Sequence, residues 1–170
     1  MLLPDTVKLS VNEVVVQLYE QARDDVYYYV LRIGLSPEQA QDVAQEVFLK
    51  LYAQLRAGDE IYNPRGWIFR VAHNEALKLK ARTIPQLEIA PGLEPEDPRP
   101  SAESELLDKS SRARLQKAIA ELSPQQRQVL HLRSEGLRLR EIGETIGIKT
   151  STVNEFLRRA VARLKKVMDE

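Results

Sequence analysis

A chain of 170 residues with 43% hydrophobic side chains has enough apolar material for one ordinary core or two small ones. The absence of cysteine, with only His73 and His131 as histidines, excludes disulfides, thiolate metal sites and a histidine-rich metal centre, so no metal or cofactor is expected. The longest uncharged apolar or aromatic run, Val26 to Leu31, is far too short for a membrane span, and "MLLPDTVKLS" lacks the basic-then-apolar plan of a signal peptide. A cytoplasmic protein with no membrane insertion is expected.

Residues 1–82 read as helical throughout, with no alternating strand pattern and few glycines. Ser36-Pro37-Glu38-Gln39 predicts a helix start: a cap, a proline at the first helical position, and a glutamine placed to bond back to the cap. Behind it, Ala40, Val43, Ala44, Val47, Phe48, Leu51 and Leu55 form the apolar stripe, while Gln41, Asp42, Gln45, Glu46 and Lys50 lie elsewhere. The acidic face suits a basic partner, although a charged helix face is commonly just solvated. After the polar loop "AGDEIYNPRGW" the spacing of Ile68, Val71, Ala72, Ala76 and Leu79 predicts another helix. Its other side is basic and amide-rich, with Arg65, Arg70, Lys78, Lys80 and Arg82 against Glu75 alone, and His73 and Asn74 among them. Tyr62, Trp67 and Phe69 beside such a stripe suit a single strand of nucleic acid, although a lone tryptophan is more often core.

Residues 83–110 contain five of the nine prolines, seven acids and only two bases, Arg99 and Lys109, and read as a linker. The balanced total of 25 basic and 25 acidic residues therefore conceals a division. Residues 111–170 carry thirteen bases against seven acids, whereas residues 1–82 carry ten against eleven.

In the basic part, the Ser-Pro-x-Gln device recurs at Ser123 to Gln126 and opens a helix through Val129, Leu130 and Leu132. Leu139, Ile142 and Ile146 then mark one amphipathic helix, and Val153, Leu157, Val161 and Leu164 a second. Gly147 supplies the left-handed stop between them, Ile148 plugs the corner, and Thr150, Ser151 or Thr152 caps the second helix. This is a helix-turn-helix layout. Gly143 permits close approach, and the outward face bears Ser151, Asn154, Glu155, Arg158 and Arg159, side chains suited to base edges and phosphates. Glu155 has two readings: it specifies a base through a cytosine or adenine amino group, or it caps the helix with Thr152 and never meets DNA.

Three stretches, "SPEQAQDVAQEVFLKLY", "NPRGWIFRVAHNEAL" and "LSPQQRQVLHLRSEGLRLREIGETIGIKTSTVNEFLRRAVARL", together resemble the small two-domain sigma factors of bacterial RNA polymerase, the extracytoplasmic-function group. The resemblance implies an all-α chain: a region 2-like bundle over 1–82, an acidic linker over 83–110, and a region 4-like helix-turn-helix domain over 111–170. It implies that Asp42, Gln45 and Glu46 dock on the clamp coiled coil of core polymerase. Tyr62, Asn63, Arg65, Arg70, His73, Asn74 and Lys78 then correspond to the part that captures the −10 strand and opens the duplex. Lys149, Thr150, Ser151, Thr152, Asn154, Glu155, Arg158 and Arg159 correspond to the −35 reader, in a domain that also holds the flap of the second-largest subunit. An anti-sigma factor is a further implied partner, and no catalytic residue is implied.

The chain departs from the family pattern at Arg138, where a serine or threonine cap is usual, at Gly143, usually alanine, and at Asn154 and Glu155, usually basic or small. The −35 sequence read by relatives therefore does not transfer, and the missing cap at Arg138 is expected to weaken that helix end by about 1 kcal/mol. Two other classes fit parts of the sequence: a stand-alone helix-turn-helix regulator that binds duplex DNA unaided, and an enzyme using Asp42 and Glu46. Nothing else in the sequence completes a catalytic site.

Overall fold

The computed structural model describes residues 9–82 and 109–169, which contain seven helices and no strand. The chain forms two compact units divided between Pro95 and Glu96. That division falls in the acidic proline-rich stretch, of which residues 83–108 lie outside the described residues. Lys109 and Ser110, assigned from sequence to the linker, are already helical.

In the first unit, α1 (Val11–Ile33), α2 (Pro37–Arg56) and α3 (Pro64–Arg82) pack mutually. The start of α2 is as the sequence predicts: Gln39 N donates to Ser36 Oγ at 3.2 Å, and Ser36 N donates to Gln39 Oε1 at 3.0 Å. Its stripe from Ala40 to Leu51 is buried, and Leu55 is half-buried. Val26 and Val30 of α1 and Ile68, Phe69, Ala72 and Ala76 of α3 complete the core. Each large apolar side chain so buried contributes about 1.5–3 kcal/mol. Polar contacts also tie α3 to α1. Arg65 Nη2 pairs with Asp25 Oδ2 at 2.7 Å, and Lys80 Nζ donates to Ile33 O at 3.0 Å, satisfying a carbonyl at the end of α1.

In the second unit, α7 (Thr150–Met168) packs on α4 (Lys109–Ala120), α5 (Pro124–Ser134) and α6 (Leu139–Ile146). The cap of α5 is the reciprocal pair the sequence predicts, with Gln126 N on Ser123 Oγ at 3.2 Å and Ser123 N on Gln126 Oε1 at 3.1 Å. Gly147, at φ 74°, stops α6, and Ile148 N bonds back to Gly143 O at 3.0 Å. The expected seam along α7 is corrected at one position. Val153 and Ala160 are fully buried, Leu157 and Leu164 half-buried, and Val161 is 36% exposed. The alternating three- and four-residue steps through 153, 157, 160 and 164 keep one face inward, and position 161 falls at its edge.

Candidate functional site

On α2, Asp42, Gln45 and Glu46 are all exposed on one face, opposite the buried stripe. Leu49 falls on the same face one turn on and is 57% exposed, an apolar side chain that the sequence reading did not include. It is legible only as a leucine outside the stripe. Glu46 lies 3.8 Å from Lys50, which in turn pairs with Glu75 of α3 at 2.6 Å. Lys50, with Lys78 at 3.0 Å, holds the Glu75 carboxyl below its usual range. The charged face is thus tied at its edge to α3 by an ion pair between the two helices.

The candidate −10 residues divide. Tyr62 stands 93% exposed on the loop before α3, and Asn74 and Lys78 are exposed on α3, with Arg70 half-buried on the same side. Asn63 has structural work: its Oδ1 accepts from Gly66 N at 3.1 Å and its carbonyl from Trp67 N at 2.9 Å, so it caps α3, with Pro64 as the first helical residue. Arg65 is drawn to Asp25 and lies over the Phe69 ring at 5.4 Å. His73 is a correction. It was expected beside the DNA-facing residues, yet only 2% of it is exposed, and its Nδ1 lies 2.8 Å from the buried Tyr29 hydroxyl. Burial pushes its pKa down to about 4, so the ring is neutral. Phe69 is likewise core, fully buried against Tyr29, and is no stacking platform. Trp67 is half-buried.

In the helix-turn-helix, a Cβ at Gly143 would lie 2.7 Å from Ile148 O, which shows how closely the corner is drawn in. Arg138 offers no side-chain cap to α6, as expected, but the reverse half of the box survives: its N–H donates to Glu141 Oε2 at 2.7 Å. The cap of α7 is also corrected. Lys149 occupies that position, has no acceptor to offer, and makes no side-chain cap, so Thr150, Ser151 and Thr152 are already helical. An uncapped positive helix end favours an anionic ligand. Ser151, Asn154, Arg158 and Arg159 are exposed along one face, Thr152 and Glu155 half-buried. The proposed Glu155–Thr152 cap is overturned, because α7 starts before Thr152 and Glu155 bonds to Arg158 and Arg159 instead. Those two, Arg158 foremost, hold its carboxyl below the usual range.

Among the described residues no group of three or more His, Asp or Glu is placed to hold a metal, and no helix is long and apolar enough to cross a membrane. The architecture defines an all-helical chain of two units, the second a helix-turn-helix. Family models agree with it: sigma-70 region 2 matches residues 18–83, and sigma-70 region 4 matches residues 112–164. Similar proteins include the extracytoplasmic-function RNA polymerase sigma factor SigL of Mycobacterium tuberculosis, 30% identical over 90% of this chain and 88% of that one. SigE of Mycolicibacterium smegmatis is 30% identical over 88% of this chain, and BldN of Streptomyces coelicolor 29% over 91%. The chain spans 59% and 60% of the lengths of those last two. A structure of CnrH in complex with the cytosolic domain of CnrY has the same fold, with a TM-score of 0.52 at 21% identity, covering 93% of this chain and 89% of that one. The chain belongs to the extracytoplasmic-function group of the sigma-70 family.

Proposed function

We propose that this chain directs promoter-specific transcription initiation: it binds core RNA polymerase and reads the −10 and −35 elements. The observation that carries the reading is the occurrence of both sigma regions, in order, in one chain. The functional division is residues 1–82 for polymerase and the −10 strand, 83–108 as an acidic linker, and 109–170, from the start of α4, for the −35 duplex. RNA synthesis stays with the polymerase, and the chain supplies specificity without catalysis.

Asp42, Gln45 and Glu46, joined by Leu49, form the face for the clamp coiled coil. Exposed acids around a protruding apolar side chain give a basic partner both charge complementarity and a contact from which water is expelled. Tyr62, Asn74, Lys78 and Arg70 take the −10 strand, with Tyr62 available for stacking and the amide for an unpaired base. Asn63 and Arg65 act behind them by fixing the start of α3. Lys149, Ser151, Asn154, Arg158 and Arg159 face the −35 duplex, with Thr150 and Thr152 at the helix entry and Glu155 beside the arginines. The flap and an anti-sigma factor are the remaining partners. The CnrH complex with the cytosolic domain of CnrY gives a precedent for a second protein bound on this fold.

Permanganate footprinting of the reconstituted holoenzyme tests the −10 assignment. Asn74→Ala should impair opening on a closed promoter and be nearly silent on a premelted one, since capture of the base offsets the cost of unstacking it and a premelted template no longer carries that cost. An equal defect on both templates removes the opening role.

A further inference from the structure

On the exposed face of α7, both oxygens of Glu155 are occupied. Arg158 Nε and Nη2 donate to Oε2 at 3.1 and 3.0 Å, Nη2 also reaches Oε1 at 3.0 Å, and Arg159 Nε donates to Oε1 at 2.6 Å. A carboxylate has about four acceptor sites, and three guanidinium nitrogens engage both of its oxygens. A base amino group would have to displace a guanidinium, exchanging a charge-assisted bond for a weaker neutral-donor one. Glu155 is therefore poorly placed to read a base itself. Nor does folding explain the cluster: the side chains of Arg158, Arg159 and Glu155 are 68%, 61% and 38% exposed, and ion pairs so exposed contribute little to stability.

The geometry has a directional effect. Glu155 lies one turn towards the amino terminus from both arginines and draws their guanidiniums towards the end of the helix that enters a major groove. Arginine has five N–H donors, so the donors not used on Glu155 remain for DNA in a fixed orientation. One negative charge meanwhile offsets half of the pair's positive charge.

We propose that Glu155 is a positioning residue of the DNA-reading helix, which clamps Arg158 and Arg159 as a unit and restrains indiscriminate phosphate binding. The inference rests on the reading that α7 meets duplex DNA. It exchanges affinity for discrimination: without the carboxylate, the arginines are stronger but less directed.

The test compares the full-length chain with its Glu155→Gln variant, which keeps length and polarity but loses charge. Each is titrated alone with a duplex of unrelated sequence over a salt series, and each is assembled with core polymerase to select from a promoter library randomised upstream. Glu155→Gln should bind the unrelated duplex roughly three- to tenfold more tightly at low salt, with a salt slope steeper by about 0.9, one further phosphate neutralised. Preference in the library should relax at more than one position. Adding Arg159→Gln should return the slope to that of the wild type, which separates the clamp from a folding defect. Unchanged affinity and slope would overturn the proposal. So would loss of preference at a single position with the slope intact, since that marks a direct base reader. Absence of any selected sequence for the wild-type chain would remove the duplex reading itself, an outcome distinct from failure of the variant.

Discussion

A neutral imidazole at His73 follows from where the ring sits, between Tyr29 and the apolar core, where burial pushes its pKa from the ordinary 6.5 down to about 4. The unfolded chain therefore takes up the proton first as pH falls, so stability that is full above about pH 6.5 is lost progressively towards pH 4. The loss should be about 2 kcal/mol between pH 7 and pH 5. Trp67, the only tryptophan, lies in the same unit, and its fluorescence in urea titrations follows the transition. His73→Gln should flatten the pH dependence, and an unchanged slope would place the titration elsewhere. Tyr29→Phe should destabilise the unit by about 1–3 kcal/mol, because it removes a buried partner and leaves the ring nitrogen. Unfolding at pH 7 measures that loss, and no change in midpoint would refute it. Residue-scale contacts of this kind were hidden in the sequence. Helical period gives the face of a residue but not its neighbour, and Tyr29 and Asp25 lie forty or more positions from His73 and Arg65. His73 itself falls at the border between the apolar and basic sides of α3, where small rotations decide.

At the scale of the element, the helix starts were the most legible feature. Ser-Pro-x-Gln states a cap, a pre-set φ and a return bond within four residues, and both copies form as read. The same capping box at Ser10 and Glu13 has no proline and precedes the run Val14 to Val16, whose β-branched residues blur the start of α1. On α2, polar exposure and buried packing are separated by helix face, so Asp42→Arg with Glu46→Arg should abolish binding to core polymerase and leave the unfolding midpoint unchanged. Retained core affinity would make this an ordinary solvated face. On α6, Gly143→Ala sets a gain in helix propensity of up to about 1 kcal/mol against a Cβ 2.7 Å from the backbone oxygen of Ile148. A backbone neighbour cannot swing aside as a side chain can, and overpacking of this kind typically costs 1–3 kcal/mol. A net destabilisation of the second unit of about 1 kcal/mol is expected, and a raised midpoint in thermal unfolding would show that the corner yields.

Across the whole molecule, charge is divided rather than balanced: a basic carboxyl-terminal part follows a stretch with seven acids and two bases. Phosphate contacts dominate affinity for DNA, and tethered carboxylates compete for the same cations, so the full-length chain alone should bind promoter duplex weakly and polymerase should relieve the competition. Division into two units was legible in composition, and the family in the order of three motifs, because both are properties of long stretches. The proposed function requires core polymerase to hold both units. The direct measurement is therefore gel filtration of the full-length chain with core polymerase, followed by transcription from a template with mapped starts. The chain should co-elute with core and produce a defined start that neither component gives alone, and Asp42→Arg with Glu46→Arg should lose both. Failure to bind core, together with tight, unaided binding of duplex DNA by the chain, would contradict a sigma factor and indicate a free-standing helix-turn-helix regulator.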